Sequence, residues 1–219
     1  MTHRPAWLIA APIVFLILWS AGFAVAKIAV THAAPLTVLA LRYSIVVALL
    51  IPVALVMRPA WPSRRGVLDV AVVGFLIQVV YFALCYVAFK SGVSAGAVSI
   101  IVCLQPILVA LIAPRFVGEK VSAKGWAGLI LGLLGAALAI AGRSAIAAEN
   151  AFGIIATFLA LLGITAGTLW EKRFGVSHHP VASNLIQYAV GAAFCLPAAL
   201  LFEDTRIEWD PEFIWAMAY

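Results

Sequence analysis

The sequence predicts an all-α integral membrane protein, a polytopic helical bundle made of two inverted five-helix repeats. Three observations predict this fold. The composition is that of a chain in lipid, the apolar residues form long uninterrupted runs, and the chain repeats itself after 145 residues. About seven and a half helices are expected within the 219 residues.

The composition separates this chain from soluble domains. Hydrophobic residues make up 65% of it and charged residues 11%, whereas soluble domains are nearer 45–50% apolar and about 25% charged. The net charge of +5 is not gathered in one basic tract, so no nucleic-acid partner is expected. No HExxH, GxSxG or phosphate-binding loop occurs, and the three cysteines lack a metal-ligand spacing. We therefore expect no enzyme, no catalytic residue, no metal and no cofactor.

The apolar runs predict the membrane spans. A spanning helix needs about 20 mostly apolar residues, and seven runs approach or exceed that length. They cover residues 7–30, 36–57, 67–89, 95–116, 125–141, 152–170 and 181–202. An eighth run begins at Pro211 and stops at Tyr219, which is too short to span.

The charged loops predict the orientation of the bundle. If the N-terminus is cytoplasmic, nine of the 14 lysine and arginine residues fall in cytoplasmic segments and only three in outer loops. Cytoplasmic loops of membrane proteins carry the excess of lysine and arginine. We therefore expect a multi-pass protein of the cell (inner) membrane with a cytoplasmic N-terminus.

The internal repeat predicts two related halves. Residues 11–55 align with residues 156–200 without a gap, and 11 of these 45 positions are identical. The less common matches are Lys27 with Lys172, Pro35 with Pro180, Tyr43 with Tyr188, and Pro52 with Pro197. Five helices, an odd number, separate the copies, so the copies insert with opposite orientations, as in many secondary transporters. We expect a first repeat over residues 1–145 and an incomplete second repeat over residues 146–219.

Two stretches carry motifs of a known family. The first is LWSAGFAVAK, which is followed by Pro35 and by the LALRYS segment that contains Arg42. The second covers residues 94–138 and contains Pro106, Gly118-Glu119 and Gly125. Both stretches resemble the EamA-type transporters of the drug/metabolite transporter superfamily. The resemblance extends over the whole chain and implies ten helices, arranged as two inverted five-helix repeats. Three of these helices, counting most of the eighth, are then expected to be missing, so that the second repeat is truncated.

Two cations lie within or beside the apolar runs. Lys27 is about four residues, roughly 6 Å, from the outer end of the first run. It is therefore expected either to anchor that end or to line an outer vestibule of the substrate path. Arg42 lies about seven residues past Pro35, roughly 10 Å along the helix, and is expected to face protein or a wet cavity. Gln187 stands where the repeat would place a second arginine, so the second half cannot make the same cationic contact.

Polar residues deep in the third and fourth runs are further cavity candidates. Gln78 and Tyr81 have helical spacing on one face. Their hydrogen-bonding groups are expected to face inward, either as a cavity wall or as helix–helix contacts. Gln105 precedes Pro106, which is expected to kink its helix, either statically or as a hinge. Trp19, which lies in the LWSAGFAVAK stretch, is the remaining substrate-cavity candidate.

The fifth run carries regularly spaced glycines. They are Gly125, Gly128, Gly132 and Gly135, and two of them form a GxxxG pair. Small residues at this spacing let helix backbones approach closely in a membrane. We therefore expect these glycines to pack against another helix.

Together these features predict a secondary transporter of small organic metabolites, such as amino acids or related compounds, that works by alternating access. The resemblance implies that export is the commonest direction. The alternative is a membrane-embedded binding or assembly protein without transport activity. The expected partners are a small-molecule substrate and the lipid bilayer, and a homodimer is left open. No acid lies inside a run, so a buried carboxylate for proton coupling is either in the missing helices or absent.

Overall fold

The computed structural model describes residues 6–141, 150–175 and 178–219, and helices dominate these ranges. In chain order the helices are α1 (Ala6–His32), α2 (Pro35–Met57), α3 (Arg64–Gly74), a π-helix (Phe75–Tyr81), α4 (Phe82–Lys90), α5 (Ala95–Val102), α6 (Gln105–Phe116), α7 (Ala123–Ala141), α8 (Ala151–Phe174), α9 (Pro180–Phe202) and α10 (Pro211–Ala218). The described ranges contain no strand, and their isolated bridge pairs Ala33 with Ile207. The predicted all-α fold is confirmed.

Six helical segments within the described residues are long and apolar enough to cross a bilayer. They are Ile13–His32, Pro35–Met57, Arg64–Lys90, Ala95–Phe116, Ala151–Phe174 and Pro180–Phe202, and they correspond to six of the seven predicted spans. The other predicted run, 125–141, lies in the apolar helix α7 (Ala123–Ala141, 19 residues). The chain is therefore a multi-pass membrane protein.

Proline begins four of the described helices. Pro35, Pro106, Pro180 and Pro211 occupy the first or second position of α2, α6, α9 and α10. A proline costs little there, because an N–H group at that position has no intrahelical acceptor. Pro35 and Pro180 are equivalent in the sequence repeat, so both copies begin their second helix in the same way.

The third span is one continuous helix with a wider middle. α3 leads into the π-helix and then into α4 without a break. The helices α8 and α9 approach this middle segment closely because glycine removes a side chain at the contact. A Cβ atom added at Gly163 of α8 would lie 2.8 Å from Val80 Cγ1, and one at Gly191 of α9 would lie 2.9 Å from Gln78 Cβ.

The fourth span is interrupted where a kink was expected. A turn at residues 103–104 separates α5 from α6. Pro106 has no N–H group to donate to the carbonyl of Val102, so the regular hydrogen-bond pattern stops there. The Ile107 N–H group instead donates to the nearer Leu104 carbonyl at 3.0 Å. Whether the interruption bends during function stays a prediction.

The helices α2 and α9, which are equivalent in the repeat, pack extensively against each other. Within it the rings of Tyr43 and Tyr188, also equivalent positions, lie 5.7 Å apart between centroids. A residue that touches its own equivalent is expected where two related units meet at a two-fold axis. The contact supports an inverted arrangement, but the boundary at residues 145 and 146 falls outside the described residues and stays a prediction.

Large apolar side chains cover the outer faces of the bundle. Val56, Leu138 and Phe202 are 83%, 74% and 80% exposed. Contiguous apolar surface of this kind is rare in proteins surrounded by water, and lipid tails cover it in a membrane. The interior instead holds aromatic groups, among them Tyr86 and Phe89, which are both 2% exposed.

Replacing Gly163 with alanine is expected to destabilise the bundle, although alanine favours helix formation. The added methyl group would lie 2.8 Å from Val80 Cγ1 and 3.1 Å from the Leu76 carbonyl oxygen, and such overpacking costs about 1–3 kcal/mol. Gly132→Ala is the matched control, because a Cβ atom there meets nothing within 4 Å.

The control is expected to leave the Tm unchanged or to raise it, because alanine is favoured over glycine in a helix by about 1 kcal/mol. Thermal unfolding of both variants in lipid nanodiscs measures the difference. Equal Tm shifts in the two variants would contradict the packing of α8 against the π-helix.

Candidate functional site

A cavity of about 320 Å³ opens between α1, α2, α4, α9 and α10. Its walls are mainly aromatic. The lining residues are Phe15, Leu18, Trp19, Gly22, Phe23, Ala26, Arg42, Tyr81, Phe82, Cys85, Tyr86, Phe89, Tyr188 and Tyr219. The cavity thus brings together three of the predicted candidates, Trp19, Arg42 and Tyr81.

Arg42 is the only charged residue among the described residues that line this cavity. It lies on α2, about two helical turns from Pro35, and is half-buried. Its Nη1 atom donates a hydrogen bond to the Tyr86 hydroxyl oxygen at 3.2 Å. Within the described ranges no carboxylate forms an ion pair with it. A cation at this depth without a counterion is a candidate for contact with an anionic ligand.

The aromatic wall comes mostly from the third span and α1. On α4, Phe82, Tyr86 and Phe89 follow one another at spacings of four and three residues, which brings them to one helical face. On α1, the rings of Phe15 and Trp19 stack with centroids 5.6 Å apart. Sequence reasoning missed these aromatic positions apart from Trp19 and Tyr81, although the spacing on α4 was a usable signal.

Lys27 lies beside the cavity wall but outside its lining. Its Nζ atom donates to the Phe89 carbonyl oxygen at 2.6 Å and to the Val93 carbonyl oxygen at 3.1 Å. These carbonyls lie at and just after the C-terminal end of α4, where helix carbonyls lack intrahelical donors. Lys27 therefore connects α1 to the end of the third span. A direct contact between Lys27 and substrate stays a prediction.

Gln78 and Tyr81, which were expected to share one wall, are separated. Tyr81 lines the cavity, whereas Gln78 does not. The physical reason is the π-helix, which takes more residues per turn than an α-helix, so a spacing of three no longer brings two side chains to one face. Gln78 is buried, and its Oε1 atom has no hydrogen-bond partner in the described part of the chain.

The main chain of Gln78 is nevertheless well held. The Tyr43 hydroxyl donates to its carbonyl oxygen at 2.8 Å. A Cβ atom added at Gly191 would lie 2.8 Å from Tyr43 Cδ2, so α9 closes over this hydrogen bond. The side chains of Tyr43 and Gln78 thus form a buried junction of α2, the π-helix and α9.

Gln105 and Pro106 belong to a second cavity, of about 390 Å³, between α6, α7 and α8. Gln105 Nε2 donates to the Thr168 hydroxyl oxygen at 3.1 Å. Gly125 lines this cavity too, and Glu119 and Lys172, which form an ion pair, lie at its edge. The candidate residues are therefore distributed over two cavities rather than one.

The other glycines of the predicted packing face lie on the surface. Gly128, Gly132 and Gly135 are exposed, and a Cβ atom added at any of them would meet no described atom within 4 Å. Within the described ranges this face of α7 therefore has no helix packed against it. Its role in helix packing stays a prediction about a contact beyond those ranges.

No group of three or more histidine, cysteine, aspartate or glutamate residues within the described ranges is placed to hold a metal ion. The three cysteines are free, with Cys85 and Cys195 buried and Cys103 exposed. The chemistry available at the first cavity is thus that of one guanidinium group, several phenol hydroxyls and aromatic faces. These groups bind and orient a ligand by charge, hydrogen bonds and stacking.

The fold and this cavity define a polytopic helical membrane protein with room for a small solute at bilayer depth. Residues 6–141 match the EamA-like transporter family. This match covers more than half of the chain, and the chain belongs to that family. The predicted resemblance to EamA-type transporters is confirmed.

Two curated relatives extend the match beyond the first repeat. The uncharacterized transporter YvbV of Bacillus subtilis (strain 168) is 26% identical over 213 residues, which cover 93% of this chain and 66% of YvbV. The uncharacterized inner membrane transporter YedA of Escherichia coli (strain K12) is 24% identical over 187 residues, which cover 85% of this chain and 60% of YedA. The chain thus spans about two thirds or less of the length of these relatives. No solved structure matches it significantly.

The Oε1 atom of Gln78 lacks a described hydrogen-bond partner, whereas the side chain of Gln105 has one. We therefore predict that methionine at these two positions shifts the Tm in opposite directions. Gln78→Met is expected to raise the Tm, because it removes a buried acceptor whose unmade hydrogen bond costs about 1–3 kcal/mol. Gln105→Met is expected to lower the Tm, because it removes the hydrogen bond to Thr168, worth about 0.5–1.5 kcal/mol. Thermal unfolding in nanodiscs measures both. A lower Tm for Gln78→Met would show that its carboxamide has a partner.

Proposed function

We propose that this chain carries the substrate cavity of a secondary transporter that moves small organic metabolites, such as amino acids or related compounds, out of the cell across the inner membrane. The observation that supports the proposal most is the cavity of about 320 Å³ with Arg42 in its wall. An ionisable side chain inside a membrane-spanning segment is costly and commonly marks a solute or ion pathway. Membership of a transporter family points the same way.

Alternating access is the mechanism we propose, because each end of the bundle has its own set of contacts between the two halves. At the end predicted to face outward, the Glu208 N–H group donates to the His32 carbonyl oxygen at 3.0 Å. There His32 Nε2 also lies 2.7 Å from Asp210 Oδ2. The bridge between Ala33 and Ile207 adjoins these contacts. In every pair one residue precedes position 145 and the other follows it.

The opposite end, predicted to be cytoplasmic, has a separate set. Lys172 pairs with Glu119. The Arg173 guanidinium carbon lies 4.8 Å from the centre of the Phe116 ring, and Arg173 Nη1 donates to the Phe116 carbonyl oxygen at 3.0 Å. These pairs also join the first half to the second. Rocking of the halves about the Tyr43 and Tyr188 contact would break one set while the other stays closed, which is how inverted repeats work in transporters.

The second candidate function is a membrane-embedded binding or assembly protein without transport activity. The cavity supports ligand binding equally in that case, and the repeat would be a relic. Only flux separates the two candidates. The orientation with a cytoplasmic N-terminus and the division into repeats at residues 145 and 146 are parts of the same proposal.

A disulfide across the predicted outer end is expected to stop flux. An antiparallel bridge places two Cα atoms about 4.5–5.5 Å apart, within the range that a disulfide spans. We expect the Ala33→Cys/Ile207→Cys variant, in a Cys103→Ala background, to lose release of solutes from proteoliposomes when oxidised and to regain it when reduced. The proteoliposomes are loaded with a mixture of amino acids and small organic acids, and mass spectrometry identifies what leaves.

Each single-cysteine variant in the same background is the control and is expected to keep its flux under oxidation. Unchanged flux in the oxidised double variant, with the disulfide verified, would contradict alternating access at this end. Absence of release by the complete protein for every loaded solute would favour the binding or assembly protein.

A further inference from the structure

We propose that the first cavity binds a small organic carboxylate with a flat apolar body and discriminates against the amine and the amino acid of the same shape. The inference rests on the proposed function and narrows its substrate class, because among small organic metabolites it favours simple carboxylates over amino acids. It is a statement about binding, so it can be tested separately from flux.

The charge of the cavity lining is the first reason to expect an anionic ligand. Arg42 contributes a positive charge, and no carboxylate within the described ranges lines the cavity. Two described carboxylates near the predicted outer end have partners outside the cavity lining. Glu203 accepts hydrogen bonds from the N–H groups of Leu36 and Thr37 at 2.9 and 2.8 Å, and Asp210 pairs with His32. A bound anion would therefore supply the counterion that Arg42 lacks.

The free hydrogen-bond donors of Arg42 within the described contacts are the second reason, and they favour a carboxylate. A guanidinium group has five N–H donors in a planar fork, and the described contacts of Arg42 use one of them, from Nη1 to the Tyr86 hydroxyl. That hydrogen bond fixes the plane of the guanidinium group beside the cavity. The remaining donors match the two oxygen atoms of a carboxylate, which arginine binds in bidentate geometry.

The aromatic lining and the volume of the cavity are the third reason, and they favour a small, flat, apolar body. Aromatic residues from α1, the third span and α9, together with Tyr219, make up nine of its 14 lining residues. Flat apolar groups stack well on such walls. A volume of about 320 Å³ is at the lower end of the range for ligand pockets, about 300–1,000 Å³, so the ligand is small.

The same features disfavour an ammonium group. A cationic ligand would meet Arg42 as a like charge and would find no described carboxylate in the cavity lining. Aromatic faces attract cations, but this attraction is weaker than that of an ion pair. The like charge of Arg42 also opposes it. An amino acid carries the ammonium beside the carboxylate, so its ammonium would be held close to the guanidinium group.

An anionic lipid has the same recognition chemistry as a soluble aromatic acid. Both present a negative group and an apolar body, and the cavity borders helices that face lipid. The test therefore needs one arm in which the bilayer is zwitterionic and one in which it is anionic. We commit to the soluble carboxylate as the occupant.

The experiment compares four probes of one shape with the chain in phosphatidylcholine nanodiscs. They are 3-phenylpropionate, its neutral amide, phenylalanine and phenethylamine, and equilibrium dialysis measures the Kd of each. The carboxylate is expected to bind at least about tenfold more tightly than the amide, because hydrogen bonds to a charged partner are worth more than neutral ones. Phenylalanine and phenethylamine are expected to bind more weakly than the carboxylate.

Variants assign the preference to Arg42. Arg42→Gln is expected to bind the carboxylate and the amide with similar Kd values, and Arg42→Lys is expected to restore part of the preference because it keeps the charge without the planar fork. Arg115→Gln is the control, because Arg115 is exposed at the end of α6 and lies outside the cavity lining. The comparison of the four probes on the unmodified chain tests the preference for a carboxylate even if Arg42→Gln fails to fold.

Several results would overturn the inference. They are equal binding of the acid and the amide, tighter binding of phenylalanine than of the acid, no binding of any probe, or loss of 3-phenylpropionate binding in phosphatidylglycerol nanodiscs. The last result would assign the site to lipid. If this inference fails, the flux assay still decides the proposed function. Carboxylate binding without flux by the complete protein would support the inference and contradict the proposed transport.

Discussion

The hydroxyl of Tyr43 donates a 2.8 Å hydrogen bond to the main-chain carbonyl of Gln78, and the arrangement of the central helices depends on it. A bilayer interior offers no water to backbone polar groups, so such groups must find partners inside the protein. The π-helix around Gln78 departs from the regular hydrogen-bond pattern of the third span. Tyr43 supplies a donor at that place and fixes α2 against the third span. Because Tyr43 is 2% exposed, this bond is shielded from competing solvent.

The candidate site follows from this junction. Successive residues on a helix project about 100° apart, so the inward direction of Tyr43 determines where its neighbour Arg42 points, which is into the cavity. On the other side, Gly191 lets α9 approach Tyr43 closely, and the rings of Tyr43 and Tyr188 lie 5.7 Å apart between centroids. Tyr188 then completes the aromatic wall. One buried tyrosine thus connects the repeat contact, the π-helix and the orientation of the only charged residue among the described residues of the cavity lining.

Periodicity and composition were sufficient to predict the helical fold and, to within one residue, the starts of α2 and α9, and the two resembling stretches predicted the family. Arg42, Trp19 and Tyr81 could be chosen as separate cavity candidates, because charge and aromaticity at membrane depth are visible in a sequence. The structure places all three in the lining of one cavity, and substrate binding there stays a prediction. The separation of Gln78 from Tyr81 was not predictable, because a π-helix changes the residues per turn without a distinctive sequence signal. The carbonyl acceptors of Lys27 were equally hidden, since they belong to the backbone of a distant segment. Glycine spacing did not indicate the close contacts within the described ranges. Gly163 and Gly191 make those contacts, while a Cβ atom added at Gly132 in the GxxxG pair meets no described atom within 4 Å.

The most direct test of this account is the free energy of unfolding of Tyr43→Phe compared with that of Tyr188→Phe, measured by denaturant titration in mixed micelles. Both changes remove one hydroxyl group and keep the ring. Tyr43→Phe removes this buried hydrogen bond to the Gln78 carbonyl and is predicted to cost about 0.5–1.5 kcal/mol. The Tyr188 hydroxyl has no hydrogen bond to any residue in the described ranges, so Tyr188→Phe is predicted to cost less than about 0.5 kcal/mol. Equal losses in the two variants would contradict the central place given to the Tyr43 hydrogen bond.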